Sequence, residues 1–144
     1  MNIKQLKFNW LSENRREVKA FYRQYMPYAR LNRKEAMAVF QLNSTQIVAS
    51  VRFRPIGKLL LMTGLLVDPT FQGMGLAKKL ILKTCVHLDE KPIYLFTEAS
   101  LTDFYQCSGF MSIQQGPNDI MQLLLKYQKQ GKPLLLMQYV GNNN

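Results

Sequence analysis

Between Lys58 and Lys78 the chain changes period once, and that change constrains the fold more than any other feature. Lys58 to Val67 is β-prone and apolar on both faces, as in Leu59-Leu60-Leu61-Met62 and Leu65-Leu66-Val67. A strand of that kind sits in the interior of a sheet covered on both sides. It ends at Asp68-Pro69 and runs through a turn containing Gly73 and Gly75. A helical face follows, formed by Leu76, Leu80, Ile81, Thr84, Cys85 and Leu88, with Lys78, Lys79 and Lys83 mostly off it. Pro92 to Phe96 reads as the next strand, so strand, helix and strand make a parallel βαβ crossover.

The segments on either side complete a mixed α/β chain. Residues 2–8 predict a first strand with Ile3, Leu6 and Phe8 as its apolar members. Ser12 is a candidate N-cap with Glu13 in the first turn, and Val18, Phe21, Tyr22 and Tyr25 recur at helical spacing until Pro27. Asn32 is placed to cap a second short helix through Glu35. Ala38–Leu42, Ile47–Phe53 and Lys58–Val67 are then three strands with short connections, Asn43 to Gln46 and Pro55 to Gly57. Strands so joined form an antiparallel meander, because parallel neighbours need a long crossover. Beyond the βαβ unit, Leu101–Cys107 predicts a short helix closed by Ser108-Gly109, and Phe110–Gln114 a strand. Residues 118–130 predict a helix capped by Asn118 or Asp119, striped by Ile120, Leu123, Leu124 and Tyr127, and stopped by Gly131. Leu134–Val140 is the last strand. No linker or repeat divides the 144 residues, so a single domain spanning 1–144 is expected.

Composition narrows the function classes. Apolar residues make up 47% of the chain, enough for a core. No apolar run approaches the roughly 20 residues that span a membrane, and the N-terminus lacks the apolar stretch of a secretory signal. A cytoplasmic protein with no membrane partner is the expectation. One histidine and two separated cysteines, Cys85 and Cys107, offer no zinc spacing, so no metal is expected and both thiols should be free. The net charge of +10 is uneven: residues 1–54 hold eleven Lys or Arg against Glu13, Glu17 and Glu35. A basic first third points to an anionic partner or substrate, or to a solvated basic surface. Nucleic-acid or ribosome association is a further reading, against which the basic residues form no RNA-binding signature and no glycine-aromatic RNP motif is present.

The chemistry lies in the turn before Leu76. The first amides of a helix lack internal partners and, with the helix dipole, attract an anion, while small residues let a pyrophosphate approach the backbone. Gly73, Gly75 and Ala77 are those small residues, and Lys78 adds a charge. A Walker loop is excluded, since no Gly-Lys-Ser or Gly-Lys-Thr is present. A dinucleotide fingerprint needs Gly or Ala where Lys78 stands and belongs in a first βαβ unit, whereas here a meander precedes it.

Gln72-x-x-Gly75-x-Ala77, with its Val67-Asp68-Pro69 lead-in, resembles the acetyl-CoA pyrophosphate signature of the GCN5-related N-acetyltransferase (GNAT) family. Asp103-Phe104-Tyr105-Gln106-Cys107-Ser108-Gly109-Phe110 resembles that family's second signature, in which a tyrosine stands four residues before the glycine of a Gly-Phe pair. The order of elements also matches over nearly the whole chain. The resemblance implies the acyl-CoA N-acyltransferase fold, a mostly antiparallel central sheet with a βαβ cofactor unit. It implies acetyl transfer from acetyl-CoA, as co-substrate, to a primary amine on a small molecule or protein. Leu65, Leu66 and Val67 would pair with the pantetheine arm. Gln72 and the amides of Gly73, Met74, Gly75, Leu76, Ala77 and Lys78 would hold the pyrophosphate. Tyr105 would protonate the departing thiolate, a step a phenol can perform.

One departure stands out. Many members carry a carboxylate on the long central strand to deprotonate the amine, and this strand has none. Glu98 is a candidate base or a solvated loop acid. The departure admits an alternative, a catalytically weak acyl-CoA-binding regulatory module acting on a partner protein. His87 reads as a helix-end cation, Cys107 as no nucleophile, and Arg52 and Arg54 as either a solvated sheet edge or an anion site. The helix at 118–130, where relatives often have a loop, is expected to cover the acceptor side or simply to pack on the sheet. Acceptor identity and oligomeric state, a homodimer included, are left open.

Overall fold

The computed structural model describes residues 5–11, 15–43 and 46–141. Among them are seven strands and four α-helices, in the order β1 (Leu6–Leu11), α1 (Arg16–Tyr25), β2 (Ala36–Leu42), β3 (Gln46–Ile56), β4 (Leu59–Val67), α2 (Leu76–Leu88), β5 (Ile93–Thr97), α3 (Thr102–Cys107), β6 (Phe110–Ser112), α4 (Asn118–Lys129) and β7 (Leu135–Tyr139). The strands form one mostly antiparallel sheet in the order β1-β2-β3-β4-β5-β7-β6. The chain divides into two compact units: Met1–Arg54 with Met62–Thr84, and Pro55–Leu61 with Cys85–Asn144.

In the first unit, β1 pairs antiparallel with β2 and β2 with β3. β1 runs further than the expected 2–8, of which 2–4 lie outside the described residues. Half-buried Leu6, Phe8 and Trp10 alternate with exposed Lys7 and Asn9, and the strand ends at Leu11, which is half-buried like Trp10 before it. The expected caps Ser12 and Glu13 are also outside the described residues. One face of α1 buries Val18, Phe21 and Tyr22 on Met37 and Val39 of β2 and Ile47 of β3. Asn32 begins a hydrogen-bonded turn, not the expected helix. Its Oδ1 accepts from the Lys34 amide at 3.0 Å, its own amide donates to Glu35 Oε1 at 3.0 Å, and the chain then enters β2 at Ala36. Those are the bonds of a helix cap, yet the β-prone run after Glu35 pairs with β1 and β3 before a helix can propagate.

In the second unit, Ile120 and Leu124 of α4 pack with Leu59 and Leu61 of β4, Tyr94 of β5 and Leu136 of β7. The expected caps of α4 are replaced: Pro117 is the N-cap residue and no side chain caps the helix. Its C-terminus follows the expectation. Gly131 has φ +86°, its amide donates to Gln128 O at 3.0 Å, and that of Lys132 donates to Tyr127 O at 3.2 Å, the paired bonds of a Schellman stop.

Candidate functional site

β4 carries the first set of predicted residues. Leu59 to Met62 are buried, but Thr63 to Val67 are all half-buried although β4 is an interior strand of the sheet. Its backbone departs from a regular strand at Gly64, where φ is +65°. With a single proton to give, the Tyr22 phenol donates to the Gly64 carbonyl at 2.5 Å. It also lies 3.1 Å from Ser50 Oγ, whose hydroxyl proton it can accept. Burial pushes the Tyr22 phenol up to about 12.

Beneath Gly64 lies a charge that the sequence did not reveal as buried. Arg52 is 5% exposed and Glu35 3%, and Arg52 Nη1 donates to Glu35 Oε2 at 2.8 Å. Nη1 also reaches Arg30 O at 2.8 Å, and the guanidinium lies 5.2 Å from the centre of the Tyr22 ring. Arg52 is therefore neither part of a solvated edge nor an open anion site. β3 is an interior strand, and α1 covers the face on which Arg52 lies. Arg54 is exposed. A β-carbon at position 64 would fall 2.5 Å from Arg52 Nε, so both the positive φ and the guanidinium require glycine there.

The turn after β4 is held from within. Asp68 Oδ1 accepts from the Thr70 amide at 2.8 Å, the Asp68 amide donates to Val48 O at 2.8 Å, and Phe71 is buried. Gln72 is exposed, and its side-chain amide donates to Val67 O at 3.1 Å, closing the turn onto the end of β4. Gly73 and Gly75 have φ of +83° and +78°, and nothing lies within 4 Å of where their β-carbons would stand. Met74 and Ala77 are half-buried, Leu76 is buried and Lys78 is exposed. The amide of Lys79 makes the bond to Gly75 O at 3.1 Å, so the amides just before it lack partners inside the helix. No acidic residue stands in the first turn of α2. These features leave an uncrowded, unopposed set of N–H groups at a helix start, which suits an anion.

In the second unit, Tyr105 is half-buried on α3 in a row of rings. Its centroid lies 5.0 Å from Phe104 and 5.9 Å from Phe110, and Phe110 lies 5.5 Å from Tyr139, each pair edge-on. Burial raises the Tyr105 phenol above its ordinary value, so it remains a proton donor. Tyr139 and Phe110 fix the ring's surroundings, and sequence reading missed Tyr139 because β7 gives no local sign of its neighbour β6. Ser108 Oγ donates to Phe104 O at 3.0 Å and Gly109, at φ +100°, turns the chain into β6. Glu98 is exposed, caps nothing with its side chain, and precedes a 3-10 turn at Ala99–Leu101. His87 is exposed in the last turn of α2. Cys85 is buried, Cys107 is exposed and neither forms a disulfide among the described residues. No helix among the described residues is long and apolar enough to cross a membrane.

A model of the acetyltransferase (GNAT) family matches residues 5–110. The chain belongs to that family. Membership implies acyl-CoA N-acyltransferase activity. The fold agrees over nearly the full length with solved structures of low identity. Escherichia coli ElaA is 17% identical, with 93% of this chain and 99% of that one covered and a TM-score of 0.65. Tetrahymena GCN5 is 14% identical, with 96% and 98% covered and a TM-score of 0.69. N-acetylglutamate synthase from Neisseria gonorrhoeae, solved with coenzyme A and N-acetylglutamate, is 8% identical. There 95% of this chain and 36% of the larger one are covered, with a TM-score of 0.73.

Proposed function

We propose that residues 1–144 act as one domain that transfers an acetyl group from acetyl-CoA to a primary amine by direct attack of the amine on the thioester. The observation that carries this reading is the start of α2, where two glycines at positive φ leave open space beside unpartnered amides. The pyrophosphate would rest on the amides of Gly73 to Lys78, with Gln72 bracing the turn through Val67 O. The pantetheine arm would lie along Leu65, Leu66 and Val67, whose half-burial leaves room for a ligand. Coenzyme A in the Neisseria relative supports the donor class.

Three chemical steps need a group. The amine must lose a proton, and β4 offers no carboxylate, so a chain of water hydrogen-bonded to backbone carbonyls carries it to solvent in this reading. The thioester carbonyl then accepts the amine nitrogen, and the carbon–sulfur bond breaks. Tyr105 gives its proton to the departing thiolate. The outer face of α4, where Gln122 and Lys126 line a shallow groove with Leu125 and Lys129, contributes to amine selection.

Titration calorimetry with acetyl-CoA tests the donor site. Wild type should give a binding isotherm, and Gly75→Glu, which places a strained, negative side chain in the pyrophosphate position, should give none while its circular dichroism stays native. Equal affinity in both proteins rules the reading out. Tight binding with no transfer to any of a panel of amines would instead favour the regulatory acyl-CoA-binding module.

A further inference from the structure

The first unit presents a one-signed surface that the acyl-transfer chemistry does not use. Arg16, Lys19 and Arg23 are exposed and lie on one face of α1, at spacings of three and four residues. They span about 10 Å along the helix axis. The connection from α1 to β2 adds Arg30, Arg33 and Lys34, also exposed. Among the described acids of this region, Glu17 is half-buried and Glu35 is buried in its pair with Arg52. No salt bridge is formed by Arg23, Arg30, Arg33 or Lys34 among the described residues, and half-buried Asp68 interacts with Tyr25 at the end of α1.

The connection is held in shape rather than loose. Arg15 donates to Asn32 O at 3.0 Å and to Glu35 O at 2.8 Å, and Arg52 donates to Arg30 O at 2.8 Å. The Met26 amide donates to Tyr22 O and that of Ala29 to Met26 O. Two inward arginines thus clamp the carbonyls of a loop whose own cations face solvent. At its start stands Tyr28, 80% exposed, the most exposed large hydrophobic residue among the described ones. An exposed aromatic on a segment that also carries exposed Arg30 and Arg33 has the two elements of a single-strand reader: phosphate contacts and a stacking platform.

We propose that α1 and the segment from Tyr28 to Lys34 form a docking surface for single-stranded nucleic acid. Tyr28 stacks on a base, and Arg23, Arg30 and Arg33 contact phosphates. An acidic peptide or an anionic membrane would be drawn by the same charges, but neither offers a planar base to stack on the tyrosine ring. A duplex offers no exposed base face for Tyr28. The inference stands apart from acetyl transfer and survives or fails without it.

Fluorescence anisotropy with a fluorescein-labelled, unstructured 12-nucleotide RNA, from 50 to 200 mM KCl, tests it. Affinity should fall with salt at a log–log slope of about −2 or steeper, as three or more phosphate contacts on a single strand require. Tyr28→Ala should weaken binding roughly tenfold with little change in slope, as loss of one stacked base does. Arg23→Glu with Arg30→Glu and Arg33→Glu should abolish binding and leave acetyl-CoA affinity intact. No binding at 50 mM KCl overturns the proposal. So does an unchanged affinity in Tyr28→Ala, or equal binding of the RNA, its duplex, a polyaspartate peptide and phosphatidylserine vesicles.

Discussion

At residue scale, Tyr105 and Arg52 show opposite fates for a side chain read from sequence. Tyr105 lies half-buried on α3, and burial among Phe104 and Phe110 keeps the phenol protonated beyond its ordinary range. Tyr105→Phe keeps the ring and removes the proton, so kcat should fall roughly 10²–10⁴-fold while acetyl-CoA affinity holds. Because its folded pKa lies above 10, the wild-type rate should not lose its acid form until pH passes that value. Steady-state kinetics from pH 7 to 11 check both points, and an unchanged kcat in the variant would remove Tyr105 from the mechanism. Arg52 was legible only as a cation on a strand. Its burial depends on Glu35 and Tyr22, which are 17 and 30 positions away in a chain that folds back on itself. A long-range ion pair leaves no local periodicity. The signal available was Gly64, an interruption inside an otherwise apolar strand that marks a close approach.

At the scale of elements, period and punctuation carried most of the fold. β2, β3, β4, α2 and β7 lie within a few residues of their expected bounds, since each combines a strong pattern with a turn or proline at its ends. The 32–35 segment was misread because cap chemistry alone does not distinguish a helix from a tight turn. α4 was legible in its stripe and its Gly131 stop, but its N-cap was not, as two cap-forming residues follow a proline that takes the position itself. The stripe packs on β4, β5 and β7, so any effect on the acceptor must come from the outer face. Gln128 is not free to serve that face, since its side-chain amide donates to Leu134 O at 3.0 Å and braces the turn into β7. Gln122→Ala combined with Lys126→Ala should raise the Michaelis constant for the amine, by roughly 2- to 10-fold for each hydrogen bond lost. That for acetyl-CoA should stay constant. Two-substrate kinetics on a responsive amine decide it, and identical constants in variant and wild type would assign α4 to packing alone.

The whole molecule carries a pH signature that no single motif discloses. Tyr22, Tyr25, Tyr105 and Tyr139 all titrate above the ordinary phenol value, each chiefly because burial penalises the phenolate. All four act in one direction. Below pH 10 the phenols are protonated in folded and unfolded chains alike, and stability is unaffected. As pH rises from 10, the unfolded chain loses these protons while the folded one retains them, so unfolding is favoured until the folded groups ionise too. Tyr22 gives the widest window, from 10 to about 12. At about 1.4 kcal/mol per unit, its share is on the order of 2–3 kcal/mol, fully lost above the upper limit. Tyr22→Phe also removes the bond to the Gly64 carbonyl, which should lower stability at neutral pH by about 1–3 kcal/mol. The informative quantity is therefore the pH slope, not the level. Urea unfolding at pH 7, 9, 10, 11 and 12 should show wild type losing stability steeply above pH 10 and Tyr22→Phe losing it less steeply. Lysine deprotonation in the same range affects both proteins equally and cancels in the comparison. Parallel curves would mean that the Tyr22 phenol ionises as easily folded as unfolded, and the clamp on Gly64 would then be solvent-accessible rather than closed.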